Sequence, residues 1–392
     1  MTTQRREIAW DCRHFLGDRP CVFHKREGAL CTCDHYDRID ERVLIIKLDA
    51  MGDVLRSTAL LPPLAEEHPH AAITWITRKE SVPLLKPNRY VGEVLELGPE
   101  MMVHLQTRTF DRVINLDASK ISAALATAAR SKRKDGFVLN DQGYVQPTNA
   151  AAAAWLDAGL FDDIKRQGTE TYQDRMAAIL GLSGKKHEYV FELSRDEHAR
   201  AKTQLESLGL DFSRPIIGLN TGAGERWPLK QWREDGYVEL VDRLSRRSDA
   251  QFLLLGGPSE AARNERLKTR SQVRLFDPGC DNPLRHFAGF LDCCDVVVSG
   301  DTLAMHLSLA LGKRTVVVFG PTSAAEIELY GLGEKVVPDM GCLSCYKTSC
   351  DFVPNCMDLI STAMVEDAVM RQLRVVRPLP SVSHEGVLDG NT

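Results

Sequence analysis

Asp53 is the residue whose type and position best suit acid–base chemistry. It ends the segment KLDAMGD (47–53), where a strand is expected to end, turn at a glycine and continue as a helix. Ligands of open α/β sheets bind beyond the carboxyl ends of the strands, so this carboxylate is placed to take a proton from a hydroxyl. The positive end of a helix would keep it ionised at neutral pH. The alternative is a structural role, in which Asp53 caps free N–H groups of that helix.

A glycine-rich loop follows another apolar run, in GLNTGAGERWPLKQW (218–232). Backbone N–H groups of such a loop can hold phosphate oxygens, and Arg226 or Lys230 can add charge-assisted contacts. A helix is expected to begin near Pro228. The alternative is an ordinary strand-to-helix loop whose tryptophans lie in the core.

Asp301 and Thr302 end a further apolar run, in SGDTLAMHLSLALGKRTVVVFGPT (299–322). Thr302 can cap the helix expected from about Leu303, while the first N–H groups of that helix face a diphosphate. His306 lies four residues after Thr302 and therefore shares its helix face. The alternative for a single histidine on a helix is a packed or solvated side chain.

One more strand-to-helix turn, in LLLGGPSEAARNERL (253–267), contains Gly256, Gly257, Ser259 and Glu260. A carboxylate in such a turn can accept hydrogen bonds from ribose hydroxyls. The alternative is an acidic residue favoured by the helix dipole alone.

Four cysteines in CLSCYKTSCDFVPNC are separated by two, four and five residues: Cys342, Cys345, Cys350 and Cys356. Four thiolates in one loop can close a tetrahedral site that leaves no open position, which is typical of a structural metal. Zinc and iron both suit four sulfur ligands. The alternative is a set of reduced, unliganded thiols.

A second group of cysteines, near His14, His24 and His35, lies before residue 41 and consists of Cys12, Cys21, Cys31 and Cys33. Their spacing does not match a standard zinc pattern. This segment is either a second metal knuckle or a redox-sensitive or partner-binding extension. The remaining cysteines fall in apolar surroundings and are expected in the core: Cys280, Cys293 and Cys294.

Short β-branched runs alternate with helical periods, which predicts parallel sheets with helices on both faces. The first series has strands at 43–48, 71–77 and 111–117 and helices at 53–69 and 119–130. The second series has strands at 215–220, 251–257, 295–301 and 314–320. A helix near 168–182 ends in Gly, Ser and Gly, where we expect the domain boundary. The predicted organisation is a Cys/His-rich extension (1–41), two Rossmann-like domains (42–182 and 183–377) and a disordered tail (378–392).

Composition excludes several classes of protein. The chain has 392 residues, which suits two domains, and its net charge of −5 argues against a nucleic-acid-binding protein. It contains no apolar run of about 18 residues, and its first ten residues lack the apolar region of a secretory signal. We therefore expect a cytoplasmic protein, in which eleven cysteines are unlikely to be disulfide-bonded.

Residues 43–357 resemble the heptosyltransferases of glycosyltransferase family 9. The resemblance rests on four motifs in the family's order: KLDAMGDVLRSTALLP, GLNTGAGERWPLKQW, LLLGGP, and GDTLAMHLSLALGK with VVVFGPT. It implies a GT-B fold, two Rossmann-like domains facing a cleft, with the acceptor in the first domain and the donor in the second. It also implies inversion at the anomeric carbon without a catalytic metal, and it assigns the general base to Asp53. The residues expected to bind the donor are Thr221, Gly222, Arg226, Gly257, Glu260, Asp301, Thr302, Met305 and His306.

This chain departs from the family at two positions. Many members have lysine where this chain has Glu225 and glycine where it has Leu303, which leaves the exact sugar open. A branch of the family that heptosylates autotransporters holds iron with cysteines, so the resemblance favours a metal at Cys342 to Cys356.

The resemblance implies a transferase of lipopolysaccharide biosynthesis. Its donor would be ADP-heptose or a related nucleotide sugar, its acceptor a lipopolysaccharide-core saccharide or a protein, and its location the cytoplasm, with peripheral contact to the inner membrane. A different class of function stays open, namely a catalytically silent GT-B-fold protein with a metal-binding regulatory or scaffold role. The presence of Asp53, Asp301 and His306 argues against it.

Overall fold

The computed structural model describes residues 6–182, 188–224 and 228–376. The chain forms two compact units, of which the first comprises Met1–Leu193 with Ser323–Glu328 and the second Ser194–Thr322 with Leu329–Thr392. The first unit thus extends beyond residue 182, where the sequence suggested a boundary, and includes a short segment from much later in the chain. The tail predicted to be disordered, 378–392, lies outside the described residues.

The first unit is built on a six-stranded sheet in the order β3-β2-β1-β4-β5-β6. All neighbours are parallel except β5 and β6, which pair antiparallel. Its strands are β1 (Glu41–Ile46), β2 (Ala71–Thr77), β3 (Val91–Glu96), β4 (Thr109–Asn115), β5 (Arg130–Leu139) and β6 (Val145–Pro147). β1 is central, and its last four residues are apolar because they are buried on both faces of the sheet.

Helices follow most strands of the first unit. They are α1 (Val22–Glu27), α2 (Met51–Ser57), α3 (Leu61–Glu67), α4 (Val82–Leu85), α5 (Pro99–Thr107), α6 (Lys120–Ala128), α7 (Ala150–Leu160), α8 (Asp162–Gln167) and α9 (Tyr172–Leu180). The single helix predicted for 53–69 is instead two helices joined by a 3₁₀ turn at Thr58–Leu60. Two prolines occupy the first turn of α3. The backbone N–H groups of a first turn have no partner within the helix, so proline, which lacks this group, is compatible with the start of a new helix there.

The second unit repeats this architecture with a fully parallel sheet in the order β12-β11-β10-β7-β8-β9. Its strands are β7 (Ile216–Asn220), β8 (Gln251–Leu255), β9 (Leu275–Phe276), β10 (Val296–Gly300), β11 (Arg314–Val318) and β12 (Gly333–Val336). The four strands expected from the sequence are β7, β8, β10 and β11, and all their residues but the first of β11 are buried.

The helices of the second unit are α10 (Arg195–Ser207), α11 (Glu234–Ser245), α12 (Ala261–Arg270), α13 (Leu284–Asp292), α14 (Leu303–Ala310), α15 (Cys356–Leu359) and α16 (Thr362–Val376). The helix expected near Pro228 is only a 3₁₀ turn, Pro228–Lys230, and the α-helix starts at Glu234. One apolar core joins α11 and α16 to the sheet through residues such as Trp232 and Val369. Cys280, Cys293 and Cys294 are buried, as expected.

Candidate active-site residues and family

Asp53 is the third residue of α2 and lies just beyond the carboxyl end of β1. Its carboxylate Oδ1 lies 2.7 Å from the Nη2 atom of Arg56, one helical turn later. The N-cap of α2 is Ala50, and no side chain caps the helix there. The carboxylate of Asp53 therefore has an arginine partner on its own helix.

Tyr172, at the start of α9, packs beside this pair. Its ring centroid lies 3.7 Å from the central guanidinium carbon of Arg56. Its hydroxyl is 2.8 Å from the hydroxyl of Ser57, which in turn donates to the carbonyl of Asp53 at 2.7 Å. Burial raises the pKa of Tyr172 against the opposing effects of Lys47 and Arg56, so the phenol stays neutral at physiological pH. The tyrosine thus contacts the arginine side chain and, through Ser57, the helix that carries Asp53.

A buried charge cluster lies under the same loop. Lys47 is 2% exposed and donates to Asp117 and, at 3.1 Å, to Asp49. Asp117 also accepts the backbone N–H of Leu48, so it joins the ends of β1 and β4. Burial, reinforced by Asp49 and opposed by Lys47, raises the pKa of Asp117 to about 7. Burial acts to raise the pKa of Asp49, but Lys47, Asp117 and Arg56 together outweigh it and lower the pKa to about 2. The cluster therefore holds the KLDAMGD loop in one conformation.

In the second unit, Thr302 is the N-cap residue of α14 but makes no side-chain cap. Its hydroxyl is instead 3.0 Å from Ser299 Oγ and accepts a bond from Asn220 at 3.2 Å. The prediction that Thr302 caps the helix is therefore wrong: its side chain joins β7 to β10. The first N–H groups of α14 thus receive no side-chain cap from this residue.

Asp301 lies beside Thr302 and is held by Lys230, which donates to its backbone oxygen at 3.0 Å and to Oδ2 at 2.9 Å. Burial acts to raise the pKa of Asp301, but Lys230 and then His306 outweigh it, so the pKa is lowered. His306 is 5% exposed, which makes it a packed residue beside this carboxylate. The structure therefore brings Asp301, Thr302 and His306 together with Lys230.

The other predicted donor residues surround the ends of β7 and β8. Thr221 donates to Asn264 at 2.6 Å, and Gly222 approaches Glu260 so closely that an added Cβ would lie 2.1 Å from its Cδ. Glu260 accepts the N–H of Gly257 at 2.8 Å, so its carboxylate stabilises its own turn. Met305 is fully buried. Arg226 lies outside the described residues.

The cysteine loop follows β12 and returns to the end of β11. Ser344 and Tyr346 donate backbone bonds to Gly320 and Pro321, at 3.3 and 2.8 Å. Both donors have positive φ angles, 59° and 51°, on either side of Cys345. An added Cβ on Gly320 would lie 2.6 Å from Cys356 Sγ, so only glycine fits there. All four loop cysteines are free and partly exposed: Cys342, Cys345, Cys350 and Cys356.

In the N-terminal segment, Cys21 caps α1 by accepting the N–H of His24 at 3.4 Å. Phe23 lies between two histidine rings, stacked on His35 at 3.8 Å and edge-on to His14 at 4.9 Å. Cys12, Cys31 and Cys33 are also free thiols. Within the described part of the chain, no three His, Cys, Asp or Glu side chains are arranged to hold a metal ion. Over those same residues, no helix is both long and apolar enough to cross a membrane.

Sequence reasoning missed the partners of the candidate base. Arg56 could have been found, because it lies three residues after Asp53 and such residues share a helix face. Tyr172 lies 119 positions further along the chain, and no local pattern connects it to Asp53. The role of Asp117 in joining β1 to β4 is equally a product of tertiary structure.

The family model of glycosyltransferase family 9 (heptosyltransferase) matches residues 100–354. Lipopolysaccharide heptosyltransferase 1 of Escherichia coli O18:K1:H7 (strain RS218 / NMEC) is 26% identical over 316 residues, which is 75% of this chain and 90% of that protein. The E. coli ADP-heptose lps heptosyltransferase II structure superposes with a TM-score of 0.63 at 19% identity, over 85% of this chain and 98% of that one.

A third relative is the iron-containing dodecameric glycosyltransferase TibC of enterotoxigenic E. coli H10407. It superposes with a TM-score of 0.55 at 12% identity, over 88% of this chain and 80% of that chain. These structures share the two-sheet α/β architecture described above, which is the GT-B fold. With the family model spanning most of the sequence, the chain belongs to glycosyltransferase family 9 and is a glycosyltransferase.

Proposed function

We propose that this chain is an inverting heptosyltransferase that transfers heptose from ADP-heptose, or a related nucleotide sugar, to a lipopolysaccharide-core saccharide or a protein. The observation that carries the proposal is the pairing of Asp53 with Arg56 at the carboxyl end of β1. An ionised carboxylate there is suited to accept a proton from a hydroxyl. The relatives' names, a lipopolysaccharide heptosyltransferase and an ADP-heptose heptosyltransferase, support the sugar and the nucleotide.

In the proposed reaction, Asp53 accepts the proton of the acceptor hydroxyl as the acceptor oxygen bonds to the anomeric carbon of heptose. The bond from that carbon to the diphosphate oxygen breaks, and ADP leaves with the electron pair. Attack on the face opposite to the leaving group inverts the anomeric configuration. The protein's contribution is a positioned base together with groups that stabilise the departing negative charge, so the step needs no catalytic metal.

We assign donor binding to the second unit and acceptor binding to the first. The uncapped N–H groups at the start of α14 and the loop after β7 are suited to oxygens of a diphosphate. Lys230, held 2.9 Å from Asp301 Oδ2, adds a cation at this edge of the sheet. The proposed donor residues are those expected from the sequence: Thr221, Gly222, Arg226, Gly257, Glu260, Asp301, Thr302, Met305 and His306.

The cysteine loop is proposed to hold one structural zinc or iron ion through Cys342, Cys345, Cys350 and Cys356. Four thiols in one short loop form the soft donor set that both metals accept. The backbone bends sharply around Cys345, and its loop is tied to the end of β11. The side chains as they stand do not form a closed coordination group. Metal binding would therefore draw the four thiols together, which couples it to folding of this loop.

The N-terminal segment is proposed either to hold a second metal through Cys12, Cys21, Cys31 and Cys33 or to act as a redox-sensitive or partner-binding extension. The protein as a whole is proposed to work in the cytoplasm, with peripheral contact to the inner face of the membrane where lipopolysaccharide acceptors are built. Nucleic acid is not among its proposed partners.

The experiment that tests the proposed function is a donor panel. Purified protein is incubated with ADP-heptose and other nucleotide sugars in the presence of lipopolysaccharide-core or protein acceptors, and nucleotide release and acceptor mass are followed by mass spectrometry. Transfer of heptose from ADP-heptose supports the proposal. Transfer of another sugar would keep the enzyme class but reject the donor. Metal-loaded, folded protein that turns over no donor would instead favour the silent scaffold.

A further inference from the structure

The surroundings of Arg56 give this arginine a role in the proposed reaction. We infer that Arg56 is a positioning residue, which holds the Asp53 carboxylate by Oδ1 so that Oδ2 faces the hydroxyl of the acceptor. The inference rests on the proposed function of Asp53 as general base. It assigns Arg56 no contact with the substrate, because its effect on the reaction passes through Asp53.

The geometry of the pair supports this role. The Arg56 Nη2 atom lies 2.7 Å from Asp53 Oδ1, and the two residues are three positions apart on α2. The side chain of Arg56 is 13% exposed, whereas that of Asp53 is 28% exposed. Asp53 therefore has more access to solvent than its partner. A base must have this access to meet an acceptor hydroxyl.

Arg56 is itself fixed in place. Its guanidinium lies 3.7 Å from the centroid of the Tyr172 ring, within the range of a cation–π contact. Tyr172 is 1% exposed, its hydroxyl meets Ser57 at 2.8 Å, and its backbone N–H donates to Glu326 at 2.9 Å. A rigid ring therefore supports the guanidinium, and the guanidinium supports the carboxylate.

Charges from several elements face this pair. Asp53, Tyr172, Glu326 and Tyr189 act on Arg56 and, against the effect of burial, raise its pKa. On the other side, Lys47 lies 5.5 Å from the centroid of the Tyr172 ring, with Asp49 and Asp117 as its partners. Arg56 therefore stays charged across the accessible pH range.

The test compares Arg56→Gln, Arg56→Lys and the matched control Arg175→Gln by their kcat and donor KM. Arg175 has a side-chain exposure of 14%, lies 5.5 Å from the centroid of the Trp155 ring and has its Nε atom 3.8 Å from Glu170. It therefore reproduces the burial and aromatic contact of Arg56 without the contact to Asp53. Asp53→Asn is measured beside them to establish that Asp53 is the base.

For Arg56→Gln we expect kcat to fall about 10²-fold, as misplaced reacting groups do, with the donor KM unchanged. Arg56→Lys keeps a cation at this position and should restore part of kcat. Arg175→Gln should keep the wild-type kcat and donor KM once rates are corrected for folded protein.

The possible failures are distinguishable. An active Asp53→Asn variant would reject the proposed base, and with it the function that the inference presupposes. An inactive Asp53→Asn together with a wild-type kcat in Arg56→Gln would overturn the inference alone. A lower kcat in Arg56→Gln that Arg56→Lys does not restore and that Arg175→Gln matches would also overturn it, because that result describes a purely structural arginine.

Discussion

The Lys230 ammonium lies 2.9 Å from Asp301 Oδ2, although 71 positions separate the two residues. Lys230 ends the 3₁₀ turn after the glycine-rich loop, and Asp301 follows β10. Their contact therefore joins the two loops to which we assign the donor diphosphate. A ligand anion at this edge would share the lysine with Asp301, so both residues should influence donor binding.

We expect ADP alone to raise the melting temperature of the wild-type protein, since a ligand at 100 times its Kd stabilises the native state by about 2.7 kcal/mol. Lys230→Met, Asp301→Ala and His306→Ala should each reduce that shift. Thermal unfolding followed with increasing ADP measures it. Lys202→Met is the control, because Lys202 pairs only weakly with Glu206, at 3.9 Å, on α10. If ADP raised the melting temperature equally in all four variants, Lys230 and Asp301 would not belong to the donor site.

Asp53→Asn preserves the shape of the side chain but removes the proton acceptor. Turnover should fall by about 10²-fold or more, as expected for the loss of a general base. The stabilisation by ADP should change little, because Asp53 belongs to the first unit and we assign ADP to the second. Initial rates with saturating donor and acceptor give the comparison. A variant that turns over at the wild-type rate would exclude Asp53 from the mechanism.

Cys345→Ser should release the metal proposed for the cysteine loop and lower the melting temperature. Activity should fall only in proportion to the folded fraction, because a site with four protein ligands has no open position for substrate. Elemental analysis of protein purified under reducing, chelator-free conditions measures the metal content. Cys31→Ser, in the N-terminal segment, is the control and should retain that metal.

Metal that persists in a variant lacking both Cys342 and Cys345 would assign it to the N-terminal cysteines instead. Protein of wild-type sequence that contains no zinc or iron would reject the loop as a metal site.

Glu197 should make the stability of the second unit depend on pH. Arg285, which donates to Oε2 at 2.8 Å, and the N-cap Ser194 lower the pKa of Glu197 to about 2, against the effect of burial. Because the folded-state pKa lies below the ordinary value of 4.5, the stabilisation is complete above about pH 4.5 and is lost as the pH falls toward 2. Allowing for solvent screening, we expect about 1 kcal/mol.

Glu197→Gln should therefore lower the melting temperature at pH 7 and flatten its decline between pH 4.5 and 2. Calorimetric scans across this range provide the measurement. Glu206→Gln, on the same helix with only the distant contact to Lys202, is the control and should leave the pH dependence unchanged. Parallel melting curves for Glu197→Gln and the wild type would contradict the assignment.

The sequence predicted the buried central strands better than the edges. Strands such as β8 and β10 are fully buried and carry apolar runs, which local patterns identify well. The sequence did not predict β3, β5, β6, β9 and β12. In β5 the segment RSKRKD is charged because only the later residues of the strand are buried, and β9 has only two residues. The segments that the sequence predicted are those whose burial leaves a local apolar pattern.

The residues of the candidate site also fall into those that a local motif predicts and those that only the tertiary structure brings together. The sequence placed Asp53, Asp301 and Thr302 at strand ends because each belongs to a local motif. It could not show that Thr302 bonds to Asn220, since that contact spans 82 positions. Nor could it show that Tyr172 supports Arg56. Such partners are determined by the sheet order, which no local pattern contains.

The segment Ser323–Glu328 belongs to the first unit, although the chain on both sides of it belongs to the second. Its Glu326 carbonyl accepts the N–H of Tyr172, the residue that supports Arg56. This connectivity restricts how whole units could be exchanged between this chain and a relative. A chimera with a single junction near residue 193 would take these six residues from the protein that supplies the second unit, although they belong to the first unit. A successful chimera would need two further junctions, at 322/323 and 328/329, so that each parent keeps its own complete unit.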